Sequence, residues 1–140
     1  MLPKEKMQKI LLKWYDSWNE HCLDDVMKLF HDDVIFEDWT GKRIAGKSAL
    51  YRAWKQWFRN DRSFRFIERE TFIDEDQQKA LYRWQLEWAS MEKEYKGMHE
   101  KREGVDIIHF KDSKIIKKLT FSKTSIEING GKFNLVAAKR

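Results

Sequence analysis

Residues 24–38 read DDVMKLFHDDVIFED, and the fold is decided by a change of period inside them. Leu23, just upstream, shares a helical face with Val26, Met27 and Phe30. Asp24 and Asp25 stand where the helix dipole favours negative charge. From Val34 the period drops to two. The run VIFEDW (34–39) is rich in β-branched and aromatic residues and predicts a strand. Alternation then puts Val34, Phe36 and Asp38 on one face and Ile35, Glu37 and Trp39 on the other. A short helix feeds a strand that ends in two acids among large apolar side chains.

Reading upstream, Met7, Ile10, Leu11, Trp14 and Trp18 recur at spacings of three and four and predict an amphipathic helix, with Pro3 suited to its first turn. Downstream, Gly41 and Gly46 bracket a loop. Leu50, Trp54, Trp57 and Phe58 mark a third helix from Lys47, ended by Asn60-Asp61. Sheet follows. Strands are expected over 63–73 and 79–91, separated by the polar turn 74–78. In the second of them Tyr82, Trp84, Leu86 and Trp88 alternate with Arg83, Gln85 and Glu87. The charged segment 92–102 reads as a flexible connection. Strands are then expected over 104–110 and 114–128, with a turn at 111–113. Asn129-Gly130 is a tight-turn signal that lets 132–136 pair back. Helices first, then a meander of strands, make an α+β layout with a mostly antiparallel sheet.

Composition narrows the function. The 140 residues suit one domain with one core. No apolar run approaches the roughly 20 residues needed to span a bilayer. The N-terminus lacks the features of a secretory signal, so a cytoplasmic location is expected. The single Cys22 excludes an internal disulfide and a zinc cluster, and reads as a buried structural thiol. The net charge of +5 comes from interspersed Lys, Arg, Asp and Glu with no basic block, which argues against nucleic acid as a partner. Seven tryptophans are unusual for this length. They either line a cavity or fill a thick core. His21, His31 and His99 follow no metal-ligand pattern, and no other motif implies a metal or cofactor.

The run LLKWYDSWNEHCLDDVMKLFHDDVIFEDWTGKRIAGKSAL (11–50), with GVDIIHFKDSKI (104–115), resembles nuclear-transport-factor-like domains. Within that superfamily it is similar to the SnoaL-like polyketide cyclases and the ketosteroid isomerases. The resemblance covers roughly residues 5 to 123. It implies a single SnoaL-like domain over residues 1–140: a cone-shaped, curved, mostly antiparallel sheet with three helices from the N-terminal half packed on its concave face, and a pocket between them. It also implies an apolar small molecule as partner and a homodimer formed through the outer sheet face bearing Arg83, Gln85 and Glu87. No membrane partner and no cofactor are expected.

The same resemblance sets the candidate site. Asp38 stands where the isomerases carry their general base. A carboxylate lodged among aromatic rings is disfavoured in its charged form, which makes it a better proton carrier. The alternative is an Asp that caps the loop before Gly41. Trp14 stands at the position of the isomerases' catalytic tyrosine, Tyr15 is its neighbour, and either is a candidate hydrogen-bond donor. Ile108 stands where those enzymes carry a protonated acid. Asp106, two residues earlier on the same strand face, is the candidate second carboxylate; His109 has the opposite parity and is expected to face away. Trp18, Phe36, Trp54, Trp57, Phe58, Trp84, Trp88 and Ile108 are the expected ligand wall. In a regular strand one of Lys117 and Lys118 must point inward, to bind an acidic ligand, to pair with Asp106, or to reach solvent by extending its apolar stem. The implied function is proton-transfer chemistry of the isomerase, cyclase or hydratase kind on a carbonyl-bearing molecule. The alternative is ligand binding or homodimeric interaction without catalysis.

Overall fold

The computed structural model describes residues 1–60 and 63–135. Its elements are α1 (Lys4–Asn19), α2 (Leu23–Met27), β1 (Phe30–Glu37), β2 (Arg43–Ala45), α3 (Lys47–Asn60), β3 (Arg65–Asp74), β4 (Lys79–Ala89), a 3₁₀ turn (Lys93–Tyr95), β5 (His99–Lys111), β6 (Lys114–Ser122), β7 (Ser125–Ile128) and β8 (Gly131–Asn134). Eight strands make one sheet in the order β2-β1-β6-β5-β4-β3, with β7 paired to β5 and β8. Among the described residues, only β1 and β6 run parallel. The three helices pack on the concave face, completing the α+β cone.

α1 buries Met7, Leu11, Trp14 and Trp18, the face that its apolar period marks. Its C-terminal end is tied to the sheet edge by one side chain: Asn19 Nδ2 donates to the Phe66 carbonyl at 2.9 Å, and the Phe66 amide donates to Asn19 Oδ1 at 2.8 Å. Trp18 is the hub of the core. Its ring centroid lies 4.9 Å from those of Trp54 and Phe58 and 5.3 Å from that of Trp14, at the tilted angles aromatic pairs prefer.

Bulges curl the sheet. One extra residue, Arg69, interrupts β3 against β4, and another, Ile116, interrupts β6 against β5. The expected single strand 114–128 is broken. Ser122 lies opposite Gly104 and Glu127 opposite Lys101, so five steps along one chain answer three along the other. Lys123 and Thr124 carry the excess, and the break lets β7 follow the twist of the 13-residue β5.

Other expectations shift for local reasons. Phe30 is the first residue of β1, not the last of a helix, and is buried against Trp14 and Trp54. The loop between Gly41 and Gly46 contains β2, which forms a hairpin with β1. Segment 92–102 is no flexible connection. The amide of Gly97 donates to the Ser90 carbonyl at 2.9 Å, that of Ser90 to the Met98 carbonyl at 2.8 Å, and β5 has begun by His99. Cys22 is half-buried in the N-cap position of α2 and hydrogen-bonds the Asp25 carboxylate, so it is not a buried core thiol. Asn129 (φ 50°) and Gly130 (φ 86°) form the left-handed turn before β8, as that dipeptide predicts. Asp61 and Val136 lie outside the described residues. Among those described, no helix is long and apolar enough to cross a membrane.

Gly104 is the glycine whose lack of a side chain shapes the interior. A Cβ there would collide with the Phe121 carbonyl oxygen and the six-membered ring of Trp84. Gly104→Ala is expected to cost about 1–3 kcal/mol, because rigid backbone and a buried indole must both move. Urea unfolding would measure the loss.

Candidate functional site

The strand register builds one wall of a cavity. Phe36 lies beside Lys118 across the parallel β1/β6 pair. Lys118 lies opposite Ile108, Thr120 opposite Asp106, and Asp106 opposite Tyr82. α1 and α3 close the enclosure with Trp14, Tyr15 and Trp18 from one and Trp54 and Trp57 from the other. The cavity volume is about 250 Å³. Ten of the twelve residues singled out from sequence meet there: Asp38, Asp106, Trp14, Tyr15, Trp18, Phe36, Trp54, Trp57, Trp84 and Trp88. Two do not. Phe58 is rotated away on α3 and packs against Trp18 and Phe64, and Ile108 is fully buried in the core between Ala80 and Lys118.

Trp39, Phe66, Tyr82, Lys118 and Thr120 complete the lining. Alternation placed Trp39 opposite Asp38. β1 stops at Glu37, however, and the chain turns: the Asp38 amide donates to the Lys42 carbonyl, and the Gly41 amide donates to the Asp38 carbonyl, both at 3.0 Å. Past the last pleat parity has no meaning, so both side chains reach the cavity. Tyr82 shares strand parity with Trp84 and Trp88, and that alternation was the signal for it.

Asp38 is both a cavity carboxylate and a loop cap. Its Oδ1 accepts from the Thr40 amide at 2.8 Å, the Thr40 hydroxyl at 2.6 Å and the Lys42 amide at 3.1 Å. The turn therefore holds the carboxylate in one orientation.

The polar centre is a buried triad. Lys118 Nζ donates to Thr120 Oγ1 at 2.6 Å, and Thr120 Oγ1 donates to Asp106 Oδ1 at 2.7 Å. Lys118 Nζ also lies 3.3 Å from Asp106 Oδ1. Two aromatic faces complete the lysine's surroundings, with ring centroids 4.7 Å (Phe36) and 5.4 Å (Trp14) from Nζ. Trp14 thus offers the ammonium its ring. Burial pulls the Lys118 pKa down, opposed by the charge and hydrogen bonding of Asp106 and by the charge of Asp38. The Tyr82 phenol is pushed far up, chiefly by burial and further by Glu68, Asp106 and Tyr15, so it remains a neutral hydroxyl. Trp18 Nε1, Trp84 Nε1 and Tyr82 Oη are buried without a hydrogen-bond partner.

Lys118 was one of two possibilities in the sequence, and the Ile116 bulge chooses it. Ile115 faces the core. Regular alternation from it would have sent Lys117 inward, but the extra residue reverses parity, so Lys118 and Thr120 face in. His109, on the opposite face of β5 from Ile108, is not among the lining residues.

A second buried ionic group backs two of the indoles. Arg102 Nε donates to Glu100 Oε2 at 3.1 Å and its Nη2 to Glu92 Oε1 at 2.7 Å. Ser90 Oγ donates to Glu100 Oε1 at 2.8 Å, and Trp88 Nε1 donates to Glu100 Oε2. The Arg102 guanidinium lies 4.4 Å from the Trp39 ring centroid. One arginine–glutamate pair thereby fixes Trp88 by hydrogen bond and Trp39 by stacking. No sequence period revealed it, because charged residues at strand spacing read as surface.

Arg102→Met leaves a fully buried Glu100 without its counter-ion and is expected to cost about 3–5 kcal/mol in chemical denaturation. Tryptophan emission should shift to the red as Trp39 loosens. Adding Glu100→Gln should recover most of the stability but not the emission, since the stacking partner is still missing.

Comparison with known proteins now identifies the architecture. The family model described as the SnoaL-like domain matches residues 11–118. A candidate polyketide cyclase of Xanthomonas campestris pathovar campestris superposes with a TM-score of 0.71 at 13% identity, over 86% of this chain and 92% of that one. A candidate ketosteroid isomerase of Kribbella flavida gives 0.67 at 17% identity, over 85% and 78%. TerC, co-crystallised with polyporic acid, gives 0.71 at 13% identity, over 85% and 92%. At such identities the likeness is one of fold. None of the curated proteins matches the chain significantly. The family match spans most of the sequence, and the chain belongs to the SnoaL-like family.

Proposed function

We propose that the protein is a cofactor-independent enzyme that moves a proton on an apolar, carbonyl-bearing small molecule. Asp38 is the base and the Asp106–Lys118 pair the acid side of the site. One observation carries this reading: a single aromatic enclosure brings two carboxylates and a buried ammonium together. An enolate or related anion needs positive charge or donors where its charge develops. Lys118 supplies the charge, and Thr120 and Asp106 hold it in place. Asp38, oriented by its turn, acts on a carbon acid held against the indoles. Isomerisation, aldol-type cyclisation and water addition all begin with such a step. The family neighbours described as isomerases and cyclases support the class without choosing among its members.

Ligand binding without catalysis is favoured by one feature: the turn already occupies Oδ1 of Asp38 with three hydrogen bonds. Deuterium exchange separates the two readings. In D₂O the protein is expected to accelerate exchange at the activated methylene of 2-tetralone, followed by NMR. Asp38→Asn should lower that rate by roughly 10²–10⁴-fold, the usual contribution of a positioned base. Exchange at the buffer rate with wild-type protein, while 2-tetralone still quenches tryptophan emission, would leave only binding.

A further inference from the structure

We propose that Lys118 is a covalent catalyst, an amine that condenses with a ligand aldehyde or ketone to form an iminium ion inside the aromatic enclosure. The inference rests on the carbonyl-ligand reading above and adds a bond to it. It starts from an oddity of placement. A lysine whose only task is to neutralise Asp106 can do so from within the sheet, yet Lys118 is both buried and part of the cavity wall. Its amine lies against the Phe36 and Trp14 rings, two residues that line the same cavity.

The surroundings suit amine chemistry. A buried lysine in apolar company loses part of its preference for the ammonium form, and desolvation is how nucleophilic lysines are activated. The proton has somewhere to go. Asp106 Oδ1 is 3.3 Å from Nζ, and the Thr120 hydroxyl bridges the two. In the step itself the ammonium passes one proton to Asp106, and the freed lone pair attacks the carbonyl carbon. A C–N bond forms while the C=O π electrons move to oxygen. A second nitrogen proton neutralises that oxygen to a hydroxyl. Asp106 then returns its proton to the hydroxyl, the C–O bond breaks, and water leaves as the nitrogen lone pair closes the C=N⁺ bond. An ammonium and a carbonyl become an iminium and water, with charge conserved and no further reagent. The cation stands beside Asp106 before and after the step, and in between both partners are neutral, so no unpaired charge is buried. The iminium is also a stronger electron sink than a hydrogen-bonded carbonyl. It makes the neighbouring C–H more acidic for a base such as Asp38.

The test traps the bond. The full-length protein is incubated with 2-naphthaldehyde, reduced with sodium borohydride, and digested for peptide mapping by mass spectrometry. Lys118 is expected to carry one naphthylmethyl group and to label roughly tenfold or more faster than an exposed lysine such as Lys28, because a bound aldehyde meets its amine at high effective concentration. Lys118→Arg keeps the positive charge but cannot form the imine. It should lose the cavity label while keeping its circular dichroism spectrum and its tryptophan quenching by the aldehyde. Two results overturn the proposal, and they differ. If the aldehyde quenches tryptophan emission but label falls only on exposed lysines, the covalent step is wrong and the pocket reading stands. If the aldehyde neither quenches nor labels Lys118, the carbonyl-ligand reading fails and the covalent step with it.

Discussion

The parallel pairing of β1 with β6 is the constraint on which the site depends. The other strand pairs are antiparallel and meander, whereas this one joins the N-terminal half of the chain to the C-terminal half. Its register sets Phe36 beside Lys118, which brings the end of β1, with Asp38 and Trp39 just beyond it, to the same end of the sheet as Thr120 and Asp106. A slip of one residue along β1 would turn Phe36 out and Ile35 in, and the Lys118 ammonium would lose one of its two ring neighbours. The Lys118–Asp106 contact is set within the neighbouring β5/β6 pair, and an unpaired buried carboxylate costs several kcal/mol, so that contact favours the register with the extra residue at Ile116.

Two buried charge groups sit in one aromatic interior and serve different ends. The Arg102–Glu100 group lies behind the indoles and is saturated: Glu100 accepts from Arg102, Ser90 and Trp88, and Arg102 also reaches Glu92. It fixes the positions of rings. The Lys118–Asp106–Thr120 group faces the cavity, and its lysine is surrounded on two sides by ring faces rather than by acceptors. Trp18 Nε1, Trp84 Nε1 and Tyr82 Oη, buried without partners, belong to residues of the same lining. Such unpaired donors are disfavoured in a folded protein and are commonest where function requires them.

The architecture was legible wherever one period ran long. Trp14 and Trp18 lie on the buried face that the 3.6-residue spacing of α1 marks, and Trp84 and Trp88 follow the two-residue period of β4. Reading failed where a period was cut short. Trp39 sits one residue into a turn, where alternation no longer applies, and segment 92–102 hides a buried ionic pair behind a charged composition. The break at Lys123-Thr124 and the Ile116 bulge left no local mark, because both answer the curvature of neighbouring strands.

Local sequence by itself determined the order of helices and strands and the faces those elements bury, with many indoles among them, whereas the two carboxylates were singled out by the family resemblance. The elements and their faces follow from backbone periodicity and the cost of leaving apolar surface in water, and both act within a few residues of chain. Only the tertiary structure decided which lysine enters the cavity, that Trp39 joins the wall while Phe58 and Ile108 leave it, and that Arg102 anchors two indoles from behind. Each of those outcomes turns on a bulge, a strand end or a contact between residues far apart in sequence. A side chain's direction there is set by the neighbouring strand, and no stretch of chain read alone contains its neighbour.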